Sequence, residues 1–365
     1  MSDEGVFFVT GFPGFLGSEL VRGLLRANPT RDAVCLVQPK FRSLATSRIR
    51  EIEREDPEVT GRIRTLPGDI SLTDLGLGDA GPLRERVREV YHLAAVYDLS
   101  VAAEVADAVN VAGTRHVIRF CRRCPNLQRL HYVSTCYVSG RYEGRFTEAH
   151  LEEGQAFHNH YERSKYRAEV MVRSAIEEGL PGTVYRPSIV VGDSRTGATQ
   201  KYDGPYYIIR WLLRQPRVAV LPVLGRPDEH RVNFVPRDFV IQAMLALAHR
   251  DDTVGGTFHL ADPAPPTADD IVRMLAGATG RRILRVPLSR AVAKGAIERI
   301  PGVYRLMGIP SAAIDYFAHP AEYGTSGTTP MLAEDGVRCP PVTSYLDRLV
   351  EFTRANPDIG ARAMT

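Results

Sequence analysis

Tyr161-Glu162-Arg163-Ser164-Lys165 sets a phenol and an amine four residues apart. On a helix, residues i and i+4 share one face, one turn apart. A free phenol has a pKa near ~10, too high for efficient proton transfer at neutral pH. A neighbouring ammonium stabilises the phenolate and lowers that value. The pair therefore reads as a proton donor with its tuning cation. The spacing alone is common on exposed helices, so its weight comes from what surrounds it.

A second group of residues suits phosphate. Thr10-Gly11-Phe12-Pro13-Gly14-Phe15-Leu16-Gly17 follows an apolar run, 6–9, and opens a helical pattern. Gly11 permits a tight turn, Gly14 lets backbone approach a pyrophosphate, and Gly17 lets the helix pack close to a sheet. The helix N-terminus then offers free N–H groups and a positive dipole end to the phosphates. The spacing is GxxGxxG, and the strand-before, helix-after context gives it force. After the second apolar run stands Gln38-Pro39-Lys40-Phe41-Arg42, with no acid to hold ribose hydroxyls and with two cations suited to a 2′-phosphate. NADP(H) is the expected cofactor, held by 11–17 and by Gln38, Lys40 and Arg42. Asp69 and Ile70 follow the third strand and are placed to meet adenine. Ala94 and Ala95 are small enough for a dinucleotide to run along the strand ends.

A third group should polarise the reacting oxygen. Ser134 and Thr135 both offer hydroxyls at the end of the fifth strand, with Gly140 as a register mark; for Ser134 a satisfied strand-end hydroxyl is preferred. Cys136 has no local base and is not read as a nucleophile. Five cysteines at irregular spacing do not form a disulfide framework. Cys121 and Cys124 lack the second pair that zinc requires, so they read as helix-end thiols and no metal site is expected.

The elements that must position these groups alternate. Strands are expected over 6–10, 33–37, 64–67, 90–93, 130–134 and 183–186, and helices over 18–26, 104–123 and 161–178. Such alternation implies parallel βαβ units with right-handed crossovers. The near-continuous apolar strands imply a sheet covered on both faces. The fold class is α/β, a doubly wound parallel sheet of the Rossmann type with a smaller, mainly helical C-terminal substrate-binding part. The nucleotide-binding part takes 1–190 and 232–262, and the substrate-binding part 191–231 and 263–365. Composition agrees: 44% hydrophobic and 24% charged residues are ordinary for a globular chain. A net charge of +3 with scattered arginines gives no reason to expect nucleic acid. No apolar stretch reaches the ~18–20 residues of a membrane span, and the start of the chain is unlike a signal peptide, so a cytoplasmic protein is expected.

Taken together, Gly11–Gly17, His92-Leu93-Ala94-Ala95, Ser134-Thr135, Tyr161 with Lys165, and Tyr185-Arg186-Pro187-Ser188 resemble the extended short-chain dehydrogenase/reductases over about the first 190 residues. Ala95-Val96-Tyr97-Asp98-Leu99, Val190-Val191-Gly192-Asp193-Ser194-Arg195-Thr196-Gly197, Asp203-Gly204-Pro205-Tyr206-Tyr207 and Asn233-Phe234-Val235-Pro236 extend the likeness to fatty-acyl-CoA reductases and reductive thioester-releasing domains. The resemblance implies that Thr135, five residues before Gly140, is the catalytic hydroxyl alongside Tyr161 and Lys165. It implies that Pro187, Ser188 and Ile189 line the nicotinamide, that Asn110 sits in a helix kink supporting Lys165, and that Lys165 holds the nicotinamide ribose. Gln38, where NADP-dependent relatives often carry Arg, departs from the pattern.

The function so implied is NADPH-dependent reduction of an acyl thioester, on CoA or on an acyl carrier protein, to an aldehyde and onward to alcohol if a second hydride follows. The alternatives are an aldehyde or ketone reductase, hydroxy-dehydrogenase or sugar-nucleotide enzyme of the same fold, and a non-catalytic NADP(H) sensor. Dimers are common in the family, so a homodimer is an assembly to test. The apolar run 287–323, interrupted by Pro301, Gly302, Gly308 and Pro310, suits a lid over an acyl channel, a plain core, or a peripheral membrane contact.

Overall fold

The computed structural model describes residues 5–224, 227–288 and 320–360. The first half runs β1 (Val6–Thr10), α1 (Phe15–Ala27), β2 (Asp32–Val37), α2 (Arg42–Glu55), β3 (Ile63–Pro67), α3 (Gly81–Arg86), β4 (Val87–His92), α4 (Ala103–Ala106), α5 (Gly113–Arg122), β5 (Arg129–Val133), β6 (Gly144–Phe146), α6 (His160–Glu177) and β7 (Gly182–Pro187). A π-helical stretch, Asp107–Ala112, joins α4 to α5. The second half runs β8 (Ile189–Val191), α7 (Tyr206–Arg214), β9 (Val218–Leu224), β10 (Phe234–Pro236), α8 (Arg237–Ala248), β11 (Thr257–Leu260), α9 (Ala268–Thr279), β12 (Arg282–Leu288), β13 (Ala321–Tyr323), α10 (Thr328–Glu334) and α11 (Leu346–Ala355).

Seven strands form one sheet in the order β11-β7-β5-β4-β1-β2-β3, every neighbouring pair parallel. Alternate residues of β1 serve opposite faces. Phe7 and Val9 pack with Leu20 and Leu24 of α1 and Val240 and Met244 of α8. Val6 and Phe8 pack with Val117 and Phe120 of α5 and Ala168 and Val172 of α6. The sheet is thus doubly wound, and its apolar strands are buried on both sides for that reason. The chain runs outward from β1 through β2 and β3, then returns to the other side of β1 at β4. That reversal between β1 and β4 makes the crevice beyond their carboxyl ends the expected place for a ligand.

A separate core, around Tyr202, Tyr206, Leu212, Leu275, Tyr345 and Leu349, joins α7, α9 and α11. This part is less purely helical than expected. β9 and β12 form a parallel ribbon, and β8–β10 and β6–β13 add short parallel pairs. Most of the apolar run 287–323, where the lid was expected, lies outside the described residues, which omit 289–319.

Candidate active site

The three glycines after β1 all centre on one carbonyl. Gly11 has φ 96°, in the left-handed region that favours glycine. The Gly14 N–H donates to the Gly11 oxygen at 2.9 Å. A Cβ on Gly14 would stand 2.7 Å from that oxygen, and one on Gly17 2.5 Å from it. Gly17 thus lets α1 close on the turn itself, where closeness to the sheet was expected. Gly11 performs the approach to the sheet, since its Cβ would meet Leu93 and Ala94 backbone at 2.9 Å. The turn brings Phe12, Pro13, Gly14, Phe15 and Leu16 to the start of α1, whose N-cap is Gly14 and whose first turn carries no acid.

The crevice is braced by a chain of hydrogen bonds among residues whose pairing no local spacing foretells. The Ala94 N–H donates to Thr10 Oγ1 at 3.3 Å, and Thr10 Oγ1 lies 2.7 Å from His92 Nδ1. His92 Nε2 is 3.1 Å from Thr114 Oγ1, whose hydroxyl donates to the Asn110 oxygen at 2.6 Å. A neutral His92, accepting at Nδ1 and donating at Nε2, satisfies every member. Burial, aided by the charge of Lys165, drives its pKa down to about 3.

At the ends of β2 and β3, the Gln38 amide donates to Asp69 Oδ2 at 2.8 Å. Asp69 Oδ1 accepts from the Ser71 N–H and hydroxyl at 2.8 and 2.7 Å. Gln38 and Asp69 therefore fix one another. Ile70 is buried and faces Gly113, where a Cβ would stand 2.9 Å from its Cδ1. Lys40 lies in a short turn, Pro39–Phe41, and Arg42 opens α2. Lys40 and Arg42 are both exposed, and neither makes an ion pair among the described residues. Ala94 and Ala95, half-buried, continue from β4. An open Gly-lined turn, two cations without a carboxylate partner and small residues at the switch point fit a phosphorylated dinucleotide.

The reacting end gathers at the carboxyl ends of β5 and β7. Tyr161 is buried and lies edge-on to Tyr97, with ring centroids 5.0 Å apart. Burial pushes its phenol well above the usual range, and a hydrogen bond with the Thr135 hydroxyl opposes that rise. The Lys165 ammonium donates to the Tyr132 hydroxyl at 2.9 Å and the Val133 oxygen at 2.8 Å. Burial lowers Lys165 to about 7, against the carboxylate of Glu169.

Thr135 is buried, and its hydroxyl reaches the Pro187 oxygen at 3.5 Å. Pro187 and Ser188 are buried beside it, and the Ser188 hydroxyl has no protein partner. Such an orphan next to Thr135 fits a bound group at this wall. Ile189 begins β8 and is buried in the core around α7, α9 and α11.

Ser134 donates its hydroxyl to Glu169, as befits a satisfied strand-end residue. Asn110 does lie in the π-helical kink, but it reaches the residue before Lys165. Its side-chain amide donates to Ser164 Oγ at 2.9 Å and its Oδ1 accepts from the Val96 N–H at 2.8 Å. Cys136 is buried, its thiol held up by burial and donating to the Arg186 oxygen. All five cysteines are free, and no cluster among the described residues could hold a metal.

Three site residues were not singled out by sequence. Glu169 stands one turn beyond Lys165, a spacing that could have revealed it. Arg186 stood out only as part of a motif. Lys201 lies 4.5 Å from the centre of the Tyr97 ring and pairs with Asp203 at 2.7 Å, so the segment 201–203 reaches Tyr161 through Tyr97.

This fold, with a Gly-rich turn at the switch point and Thr, Tyr and Lys gathered beyond β5, defines an extended short-chain dehydrogenase/reductase. The chain belongs to the Male sterility protein family, whose pattern matches residues 9–244. It is similar to a component of the linear gramicidin synthase of Brevibacillus parabrevis, 29% identical over 276 residues, which are 72% of this chain and 5% of that protein. It is 28% identical over 305 residues to aldehyde reductase lnbA of Aspergillus flavus, covering 78% of this chain and 29% of the other. The chain thus spans less than a third of the length of these curated relatives. Its structure matches the terminal R domain from the myxalamid PKS-NRPS biosynthetic pathway with a TM-score of 0.82 at 26% identity, covering 97% of this chain and 91% of that one.

Proposed function

We propose that this protein reduces an acyl thioester to an aldehyde with NADPH. The observation that carries the reading is that Thr135, Tyr161 and Lys165 are all buried and meet beyond the carboxyl end of β5, at the edge that also holds the Gly-rich turn. NADPH, when bound, supplies the hydride. Gly11 to Gly17 and the α1 N-terminus would hold its pyrophosphate, Lys40 and Arg42 its 2′-phosphate, with Gln38 and Asp69 at the adenosine end. Ala94, Ala95, Pro187, Ser188 and Ile189 would line the rest, and Lys165 would hold the nicotinamide ribose.

Thr135 orients the substrate carbonyl and donates a hydrogen bond as oxyanion character develops. Tyr161 delivers its phenolic proton to that oxygen. A hydride at carbon and a proton at oxygen give a hemithioacetal. Its collapse breaks the C–S bond, releasing aldehyde and thiol.

The likeness to the R domain and to the gramicidin synthase supports a carrier-bound thioester over a CoA ester. Reduction of free aldehydes is the second reading, supported by the likeness to an aldehyde reductase. A cytoplasmic setting agrees with five unpaired cysteines; no helix among the described residues is long and apolar enough to cross a membrane.

The test is a panel of carrier-bound thioesters, acyl-CoAs, aldehydes and ketones, each with NADPH and NADH. Stoichiometric thiol release with NADPH consumption is expected. Aldehyde turnover without thiol release from any thioester would replace this reading with the second. Cofactor binding without turnover of any substrate would leave only the sensor.

A further inference from the structure

One buried carboxylate touches all three elements that carry the reacting groups. Glu169 lies in α6, one turn beyond Lys165 and two beyond Tyr161, with its side chain fully buried. Its Oε1 accepts from Arg186 Nε at 2.9 Å and Nη2 at 2.5 Å, and its Oε2 accepts from the Ser134 hydroxyl. Ser134 immediately precedes Thr135 at the end of β5, and Arg186 immediately precedes Pro187 at the end of β7. Arg186 is itself anchored, donating to His259 Nε2 at 3.1 Å and the His150 oxygen at 2.8 Å.

We propose that Glu169 is the positioning residue of this active site, clamping Thr135 and Pro187 in register with Tyr161 and Lys165. The proposal rests on the reading of Tyr161 and Lys165 as the proton-donating pair. The groups facing Lys165 are few. From β4 comes His92, held neutral by burial. From β5 come the Tyr132 hydroxyl and the Val133 carbonyl. α6 itself contributes Tyr161 and Glu169, and β7 contributes Arg186, paired to Glu169. Only the Glu169 carboxylate favours the ammonium by charge. A carboxylate serving Arg186 alone would hold the strands together and leave the titration of Lys165 untouched.

The pH profile of kcat separates the two roles. In the wild type, reduction should fall as pH rises through the Lys165 titration. Glu169→Gln should move that limb down by about one pH unit or more, the usual worth of a close opposite charge. The Gln variant strands a buried guanidinium and could fail to fold. Glu169→Gln/Arg186→Met removes both charges, a replacement that buried ion pairs often tolerate, and it should show the same downward shift. Lys165→Met serves as the control. If it is inactive while every folded Glu169 variant keeps the wild-type limb, the positioning proposal is overturned alone. If Lys165→Met retains wild-type turnover, the reading of the Tyr161–Lys165 pair is what fails.

Discussion

The seven-stranded sheet and the core around α7, α9 and α11 are held by different means. In the sheet, buried polar and charged groups are tied to partners at the strand ends. Arg129 of β5 donates to the Ala248 and Arg250 oxygens and to Thr253, and Glu89 meets Arg31, Tyr91 and His131. Arg186 and Glu169 form a fully buried pair. Around α7, α9 and α11 the interior is aliphatic and tyrosine-rich, and the tyrosine hydroxyls meet backbone. Tyr202 donates to the Asn356 oxygen at 2.7 Å, Tyr345 to the Phe234 oxygen at 3.3 Å, and Tyr206 accepts from the Gly192 N–H at 2.8 Å. Directional networks fix atoms to a fraction of an ångström, which hydride and proton transfer require. Apolar packing fixes volume and tolerates exchange of shape. The first region is built to repeat one chemistry, the second to be varied around it.

The sharpest break between the regions should come at Tyr161. Tyr161→Phe removes a positioned acid and little volume, and should lower turnover roughly 10²–10⁴-fold with NADPH affinity nearly intact. Steady-state kinetics with a binding titration checks both halves. Turnover near wild type would show that the proton comes from elsewhere.

Gly17→Ala comes next. The new methyl would stand 2.5 Å from the Gly11 backbone oxygen, so the turn must shift. Overpacking of this kind costs about 1–3 kcal/mol, and here it falls on the phosphate-binding turn. Dinucleotide affinity should drop about 10–100-fold, measured by calorimetry or fluorescence quenching.

Lys40→Ala/Arg42→Ala should raise the KM for NADPH about tenfold or more, the usual worth of a charge-assisted hydrogen bond. The KM for NADH should change little. Equal losses with both nicotinamides would mean that these cations act through α2 rather than through the 2′-phosphate.

How legible each region was follows from the same contrast. The sheet could be read from sequence because strands covered on both faces must be apolar runs, as all of Val6–Thr10 are buried. α2 was missed because it shows the core only Ala45 and Ile52 among many charges, too thin a stripe to read as helical periodicity. β9 and β12 were missed because Pro222, Arg285 and Pro287 interrupt them, and the remaining strand pairs are three residues long. At the site, residue types with a local spacing were visible: the glycines, Thr135, and Tyr161 with Lys165. What depended on distant partners was not. Nothing local says that the Lys165 ammonium turns to Tyr132, or that Glu169 faces Ser134 and Arg186 rather than water.

The buried histidines carry a pH signature specific to the sheet region. His92 and His259 are both pushed down to about 3, chiefly by burial. Their unfolded counterparts titrate near ~6.5. With folded values depressed, stability is present in full above that unfolded pKa and is lost as pH falls below it. Tm should therefore decline from about pH 6.5 downward, by ~5 °C or more before the carboxylates titrate. His259→Gln should flatten part of the decline, and an unchanged slope would place the proton uptake elsewhere.

The smallest effect should have the opposite sign. Gly277 lies inside α9, exposed, and a Cβ there would meet nothing within 4 Å. Its backbone is helical, so alanine can adopt the native conformation without strain and restricts the unfolded chain. Gly277→Ala should stabilise the protein by about 0.5–1 kcal/mol. Thermal denaturation would read that as a Tm increase of ~1–4 °C, with kcat and KM unchanged. The same substitution thus disables the protein at Gly17 and strengthens it at Gly277, because one glycine is held against a carbonyl that must not move and the other faces open space. A destabilised Gly277→Ala, or one with altered kinetics, would mean that this face of α9 is occupied by another segment of the chain or by substrate. The freedom assigned to the second region would then not extend to it.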